Sequence, residues 1–281
     1  MASSGAAAGL GLLSAAAWGG SDFAGGLGAR RSSTLLVTAS GQILSLFVLL
    51  GICFALHLAV PARPYVLYAA IGGFEGALAL AIFYRALAMG AMGLTAALTG
   101  LLTALVPVVF ELFHEGLPAP LTALGLVAGC IAIWLITHSP ASNGAGTAPK
   151  ALLFGALAGV GFGAQLILFK MAGAGGVLWT LTTGRIAGVV ALLLFLAFAP
   201  PPGPWRGFWM MGILSGSLDT VGNLFYMLTA QLGRLDVAAV ICSLYPAGTI
   251  LLAAIILHER PTRRQMVGIA VALAAVGLLS R

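Results

Sequence analysis

The chain has 281 residues, of which 60% are hydrophobic and 7% are charged, and its mean hydropathy is +1.09. A soluble domain carries about 25% charged residues, so this chain has too few polar side chains to cover the surface of a globule. Its net charge of +6 comes from Lys and Arg residues scattered between long apolar runs. That scatter is typical of loops that orient membrane helices and excludes a basic nucleic-acid-binding face.

Ten apolar runs of about 20 residues, the length that a spanning helix needs, follow one another along the chain. The first is predicted to be a membrane span and not a signal peptide, because no basic segment precedes it and its apolar run continues to Leu27. The connections are short and leave no room for a catalytic domain. The predicted spans are Gly5–Leu27, Thr34–His57, Tyr65–Met89, Gly93–Phe110, Ala119–Thr137, Lys150–Gly173, Leu178–Ala199, Gly207–Leu232, Leu235–Leu257 and Thr262–Leu279.

The two halves of the chain repeat at an offset of 144 residues. Because each half has an odd number of spans, the second half enters the membrane from the opposite side, which is an inverted repeat. The predicted fold is therefore all-α, with ten transmembrane helices in two inverted five-helix repeats around a central cavity. We assign 1–138 to the first repeat, 139–149 to a linker and 150–281 to the second repeat. The matching segments are Trp18-Gly19 with Phe162-Gly163, Gly72–Glu75 with Gly216–Asp219, and His114-Glu115 with His258-Glu259.

The distribution of basic residues between alternate connections predicts the orientation. Eight of them lie on one side, and the positive-inside rule assigns that side to the cytoplasm. Both termini are then predicted outside the cytoplasm, in a bacterial-type inner membrane. The eight are Arg30, Arg31, Arg85, Lys150, Arg206, Arg260, Arg263 and Arg264, and the five on the other side are Arg63, Lys170, Arg185, Arg234 and Arg281.

Two motifs resemble the drug/metabolite transporter superfamily and, within it, the ten-helix EamA-type transporters. The first is Phe83–Gly90, at the end of span three, and the second runs from Leu244-Tyr245-Pro246 through Leu257–Thr262 to Gly277. Within that branch the chain is similar to the YddG-type exporters of aromatic and other amino acids. The resemblance implies a carrier without cofactors that exports small metabolites. The halves differ in one respect, since Pro107 stands eight residues before Glu115 whereas Pro246 stands thirteen before Glu259.

Polar residues within the spans indicate the position of a substrate site, because an ionisable group at the bilayer centre costs about 2.5–3.5 kcal/mol. Glu75 and Asp219 both approach the midplane, where they either line a wet cavity or bond to neighbouring helices and fix the packing. Aromatic side chains would form apolar walls of the cavity, while amides and the backbone near Pro107 and Pro246 would orient the substrate. The predicted substrate-binding residues are Trp18, Gln42, Glu75, Tyr84, Gln165, Asp219, Asn223, Tyr226 and Tyr245.

Of three other charged residues of the spans, two have two interpretations each. Asp22 shares a helix face with Trp18, but it also lies close enough to Arg30 and Arg31 for a structural ion pair. Arg185 either binds a substrate carboxylate or snorkels to the interface. Lys170 is expected to snorkel from a span end.

These observations predict a secondary transporter that carries a small molecule and acts as a monomer. It is expected to lie in a lipid bilayer and to bind no nucleic acid. Glu75 or Asp219 is a candidate for proton coupling. No GxxxxGK[ST] loop, HExxH motif or paired cysteine spacing indicates a nucleotide, a metal or a disulfide. A channel and an intramembrane enzyme are the alternative classes, and the enzyme is disfavoured because no histidine reaches membrane depth.

Overall fold

The computed structural model describes residues 2–29, 32–88, 92–137, 149–198, 209–256, 258 and 262–280. All of the regular structure in these segments is helical. The helices are α1 (Ala2–Ala29), α2 (Thr34–Ala55), α3 (Arg63–Ala88), α4 (Met92–His114), α5 (Pro120–Thr137), α6 (Pro149–Gly173), α7 (Val177–Phe198), α8 (Trp209–Leu232), α9 (Leu235–Cys242), α10 (Tyr245–Ile256) and α11 (Arg263–Leu279).

These helices form the ten predicted spans, with the ninth divided into α9 and α10. The division falls at Ser243-Leu244, and Pro246 is the second residue of α10, where a missing backbone donor costs little. Pro107 lies inside α4, which continues past it to His114. The two proline-bearing spans therefore differ in structure, and the longer α4 brings Glu111 into the helix.

The outer surface of the bundle is apolar, as a protein solvated by lipid requires. Phe47, Phe54, Phe113 and Phe198 are all more than 60% exposed. By length and composition alone, four segments within the described residues are long and apolar enough to cross a membrane, and two shorter helices there are also apolar. The four are Leu35–Ala55, Pro149–Gly173, Val177–Phe198 and Leu235–Ile256, and the two are Leu98–His114 and Pro120–Ile136.

Helix packing follows the inverted repeat. The most extensive contacts are between α1 and α8 and between α3 and α6. In the repeat, α1 corresponds to α6 and α3 to α8, so each of these two contacts is the equivalent of the other. The contacts of α2 with α8 and of α7 with α3 are equivalent in the same way, as are those of α1 with α10 and of α6 with α4. The most extensive contacts are thus between the halves and not within them, so the centre of the molecule is an interface between the repeats.

Glycines bring the backbones of these helices together. A Cβ added to Gly41 of α2 would lie within 3.0 Å of backbone atoms of Gly212 and Gly216 in α8. A Cβ added to Gly73 of α3 would meet the backbone of Gly184 in α7 in the same way. Lipid provides no hydrophobic force between helices, so such close approach supplies much of the packing energy.

We expect Gly41→Ala to lower the free energy of unfolding by about 1–3 kcal/mol, the usual cost of overpacking. Gly51→Ala is a matched control on the same helix, because nothing lies within 4 Å of a Cβ added there. It should leave stability unchanged or slightly higher, since Ala favours helix over Gly. Unfolding in detergent micelles measures both, and equal effects of the two variants would contradict this account of the contact.

Candidate functional site

A cavity of about 180 Å³ lies between the two halves. Four spans from each half line it, namely those of α1, α2, α3 and α4 and those of α6, α7, α8 and α10. Its walls combine aromatic rings with polar and charged groups, as sites for small polar molecules do. The aromatic residues are Trp18, Phe83, Phe162, Phe169 and Tyr245, and the polar ones are Asp22, Gln42, Thr103, Gln165, Arg185, Asp219 and Asn223.

The cavity brings together six of the nine residues predicted from the sequence to bind substrate: Trp18, Gln42, Gln165, Asp219, Asn223 and Tyr245. Tyr226 and Glu75 lie elsewhere. Tyr226 is fully buried behind the cavity wall, where its ring stacks on Trp18 and its hydroxyl donates to the Leu166 carbonyl. Glu75 is half-buried on α3 and faces Gly161 of α6. The side chain of Tyr84 is outside the part of the chain that the structure describes.

Arg185 and Asp219 form an ion pair in the wall of the cavity. The Arg185 Nη2 group donates to Asp219 Oδ2 and, over 3.0 Å, to Thr220 Oγ1. Asn223, one turn further along α8, donates through Nδ2 to the other carboxylate oxygen of Asp219 over 3.2 Å. Because the Arg185 side chain is only 10% exposed and is held in this network, it does not snorkel to the interface.

Asp22 is the second carboxylate in the cavity. It lies one helical turn after Trp18 and on the same face of α1, and both residues line the cavity. Asp22 is exposed, and within the described residues no hydrogen bond or ion pair engages its carboxylate. The lining residues therefore contain two carboxylates and one guanidinium, so one carboxylate is in excess.

Glycines position two of the lining side chains. A Cβ at Gly222 would collide with the indole of Trp18, so only glycine lets this ring lie against α8. A Cβ at Gly76 would likewise occupy the position of the Gln165 amide. The aromatic pair at equivalent positions of the repeat, Trp18 and Phe162, lines the same cavity.

A buried charged cluster joins the halves on one side of the cavity. This side, called the terminal side here, is the one where α1 begins and α11 ends. Glu111 of α4 is 2% exposed, and its Oε1 accepts from Lys170 Nζ of α6 over 3.3 Å and from the backbone N–H of Leu235 over 2.9 Å. Lys170 thus pairs with a carboxylate, whereas the sequence indicated snorkelling. We call Glu111, Lys170 and the N-terminus of α9 the Glu111 cluster.

A second ion-pair group lies beside the Glu111 cluster. Arg234 donates from Nη2 to the buried carboxylate of Asp236 over 3.0 Å, and it lies 3.7 Å from the exposed carboxylate of Glu115. The side-chain hydrogen bonds to Asp236 raise the pKa of Arg234, so this guanidinium stays charged. No group of three His, Cys, Asp or Glu side chains in the described segments is placed to hold a metal ion.

The fold and the site define a polytopic α-helical membrane protein with an inverted repeat and, between its halves, a cavity lined by aromatic and polar side chains. Residues 149–281 match the EamA-like transporter family, so the second half of the chain is similar to members of that family. That match supports the drug/metabolite transporter superfamily and a membrane transporter of small molecules.

Comparisons with individual proteins add information on the fold. No curated protein matches the chain. One solved crystal structure, with 18% identity, aligns over 97% of this chain and 96% of its own with a TM-score of 0.79. At that identity the likeness shows the fold alone. The shared fold includes both halves of this chain, whereas the family match is confined to the second half.

Proposed function

We propose that this chain is a secondary transporter that exports small metabolites, chiefly aromatic and other neutral amino acids, across the inner membrane by alternating access. The observation that supports this function is the cavity between the two halves. It combines polar and charged groups with aromatic rings, and it lies within the membrane-spanning helices. Each of α1, α2 and α3 lines the cavity together with its repeat equivalent, and α4 does so together with α10, the second part of the ninth span. A site at the repeat interface is where inverted-repeat transporters hold their substrates.

The contents of the cavity favour an amino acid over a sugar. An amino acid carries charges of both signs next to a side chain that is often apolar, and this cavity has carboxylates, a guanidinium and aromatic rings. The rings of Trp18 and Tyr245 meet edge to face with their centres 6.3 Å apart, and together they form two adjoining apolar walls of the cavity. An EamA-type carrier of another metabolite or drug is the nearest alternative.

The two sides of the cavity are closed differently, which supports alternating access. The Glu111 cluster and a buried apolar cluster that includes Tyr226, Met227 and Leu235 join the halves on the terminal side. At the repeat offset the equivalents of Glu111 and Lys170 are Ile255 and Gly26, so this ion pair has no counterpart at the other end. Within the described residues, the terminal side is thus held by a buried ion pair whose equivalent positions on the other side carry no charge.

Counterflow in reconstituted vesicles tests the transport function. Vesicles loaded with an unlabelled amino acid should accumulate the labelled form of the same amino acid transiently, because a carrier exchanges substrate across the membrane. The panel includes amino acids, nucleosides and sugars. A channel would equilibrate the label without overshoot, and absence of any substrate-dependent flux would exclude both a carrier and a channel.

A reporter fused to the C-terminus tests the orientation. A signal from the cytoplasm would contradict the prediction that both termini lie outside it.

Proton coupling at Glu75 or Asp219 is part of this proposal. Proton uptake at Asp219 would release Arg185, because that guanidinium bonds to the same carboxylate. We expect the double variant Glu75→Gln with Asp219→Asn to lose the response of transport to an imposed pH gradient while substrate exchange at equal pH persists. Initial rates of uptake with and without the gradient measure this, and an unchanged response in the double variant would show that neither carboxylate couples.

A further inference from the structure

Asp22 presents a carboxylate to the cavity without a partner among the described residues. The other acidic side chain of the lining, Asp219, is already bonded to Arg185 and Asn223. Arg185 in turn has both Asp219 and Thr220 as acceptors. The unpaired charge among the described lining residues is therefore negative, so the cavity favours a positively charged group of the substrate over a negatively charged one.

The surroundings of Asp22 suit an ammonium group. Trp18 lies one turn away on the same face of α1 and lines the same cavity, and an ammonium group is attracted to an indole face as well as to a carboxylate. A substrate carboxylate would meet a different situation, since it would have to displace Asp219 from Arg185 before it could bind there.

We propose that the cavity recognises its substrate by a protonated amine bound to Asp22, and that a carboxylate on the substrate is not required. This inference rests on the proposed function and specifies its substrate class as primary amines of small apolar molecules, of which neutral amino acids are one kind. Amines that lack the carboxylate are then ligands, whereas acids that lack the amine are not.

Three compounds with the same ring and different charges test the proposal: 2-phenylethylamine, L-phenylalanine and 3-phenylpropionate. Titration calorimetry of the full chain in detergent should show that the amine binds at least as tightly as the amino acid and that the acid does not bind. Asp22→Asn, which keeps the shape of the side chain, should weaken binding of the two ammonium compounds at least about tenfold. Glu115→Gln is a matched control, because Glu115 is an exposed carboxylate outside the cavity, and it should change neither affinity.

Two kinds of result would overturn the proposal. One is binding of 3-phenylpropionate as tight as that of 2-phenylethylamine, or no binding of either ammonium compound. The other is an Asp22→Asn variant that binds both ammonium compounds as the wild-type chain does, or whose loss of binding is matched by a lower midpoint of thermal unfolding, as a structural ion pair of Asp22 would produce. The vesicle counterflow experiment is independent of these outcomes, because it detects transport whichever group of the substrate is recognised.

Discussion

Replacement of Arg185 by methionine is expected to abolish transport and to lower the free energy of unfolding by about 3 kcal/mol. The variant leaves the Asp219 carboxylate without its partner inside the membrane, and removal of one member of a buried pair costs about 3–5 kcal/mol. The lower end applies because the Asp219 side chain keeps 34% of its surface exposed to the cavity. Unfolding in detergent micelles and initial rates of uptake in vesicles measure the two effects.

A double-mutant cycle separates the ion pair from a general loss of packing. Arg185→Met combined with Asp219→Asn removes both charges, so stability should recover by about 1–3 kcal/mol relative to the sum of the single variants. Transport should remain absent, since balancing the charges does not restore the Arg185 guanidinium to the cavity wall. Strict additivity of the two stability effects would mean that the residues lie together without interacting energetically.

Replacement of Glu111 by glutamine is expected to raise the fraction of molecules in which the cavity is open on the terminal side. The amide still accepts from the Leu235 N–H, but it no longer attracts Lys170, and a hydrogen bond to a charged group contributes about 1.5–3 kcal/mol. The population open on that side should therefore rise at least about tenfold. In a chain whose three cysteines are replaced by alanine, Leu166→Cys places a thiol in the cavity wall, and its rate of labelling by an impermeant reagent reports the opening.

Glu115→Gln provides the control for this experiment. Its carboxylate is 48% exposed and lies 3.7 Å from Arg234, and exposed pairs contribute about 0–1 kcal/mol. Labelling of the reporter cysteine should rise little in this variant. Equal acceleration by Glu111→Gln and Glu115→Gln would show that the buried pair has no special part in closure.

The limits of the sequence-based prediction are clearest at the charged residues. The offset of 144 residues paired Glu75 with Asp219 as equivalent carboxylates, but only Asp219 lines the cavity. Asp22 and Arg185 each had two interpretations, and the structure places both in the cavity wall. Glu111 lies one residue beyond the predicted fourth span, which ends at Phe110, so the sequence does not predict its pairing with Lys170.

Sequence alone determined the class of protein, the ten spans, the inverted repeat and six of the cavity residues, because apolar length and helical periodicity are local properties of the chain. The tertiary structure decided which polar groups meet. Arg185 and Asp219 are 34 residues apart, and Glu111 and Leu235 are 124 apart, so their contacts depend on how helices from opposite halves rotate and approach. Close glycine contacts such as Gly41 with Gly216 set those rotations, and periodicity within one helix does not encode them.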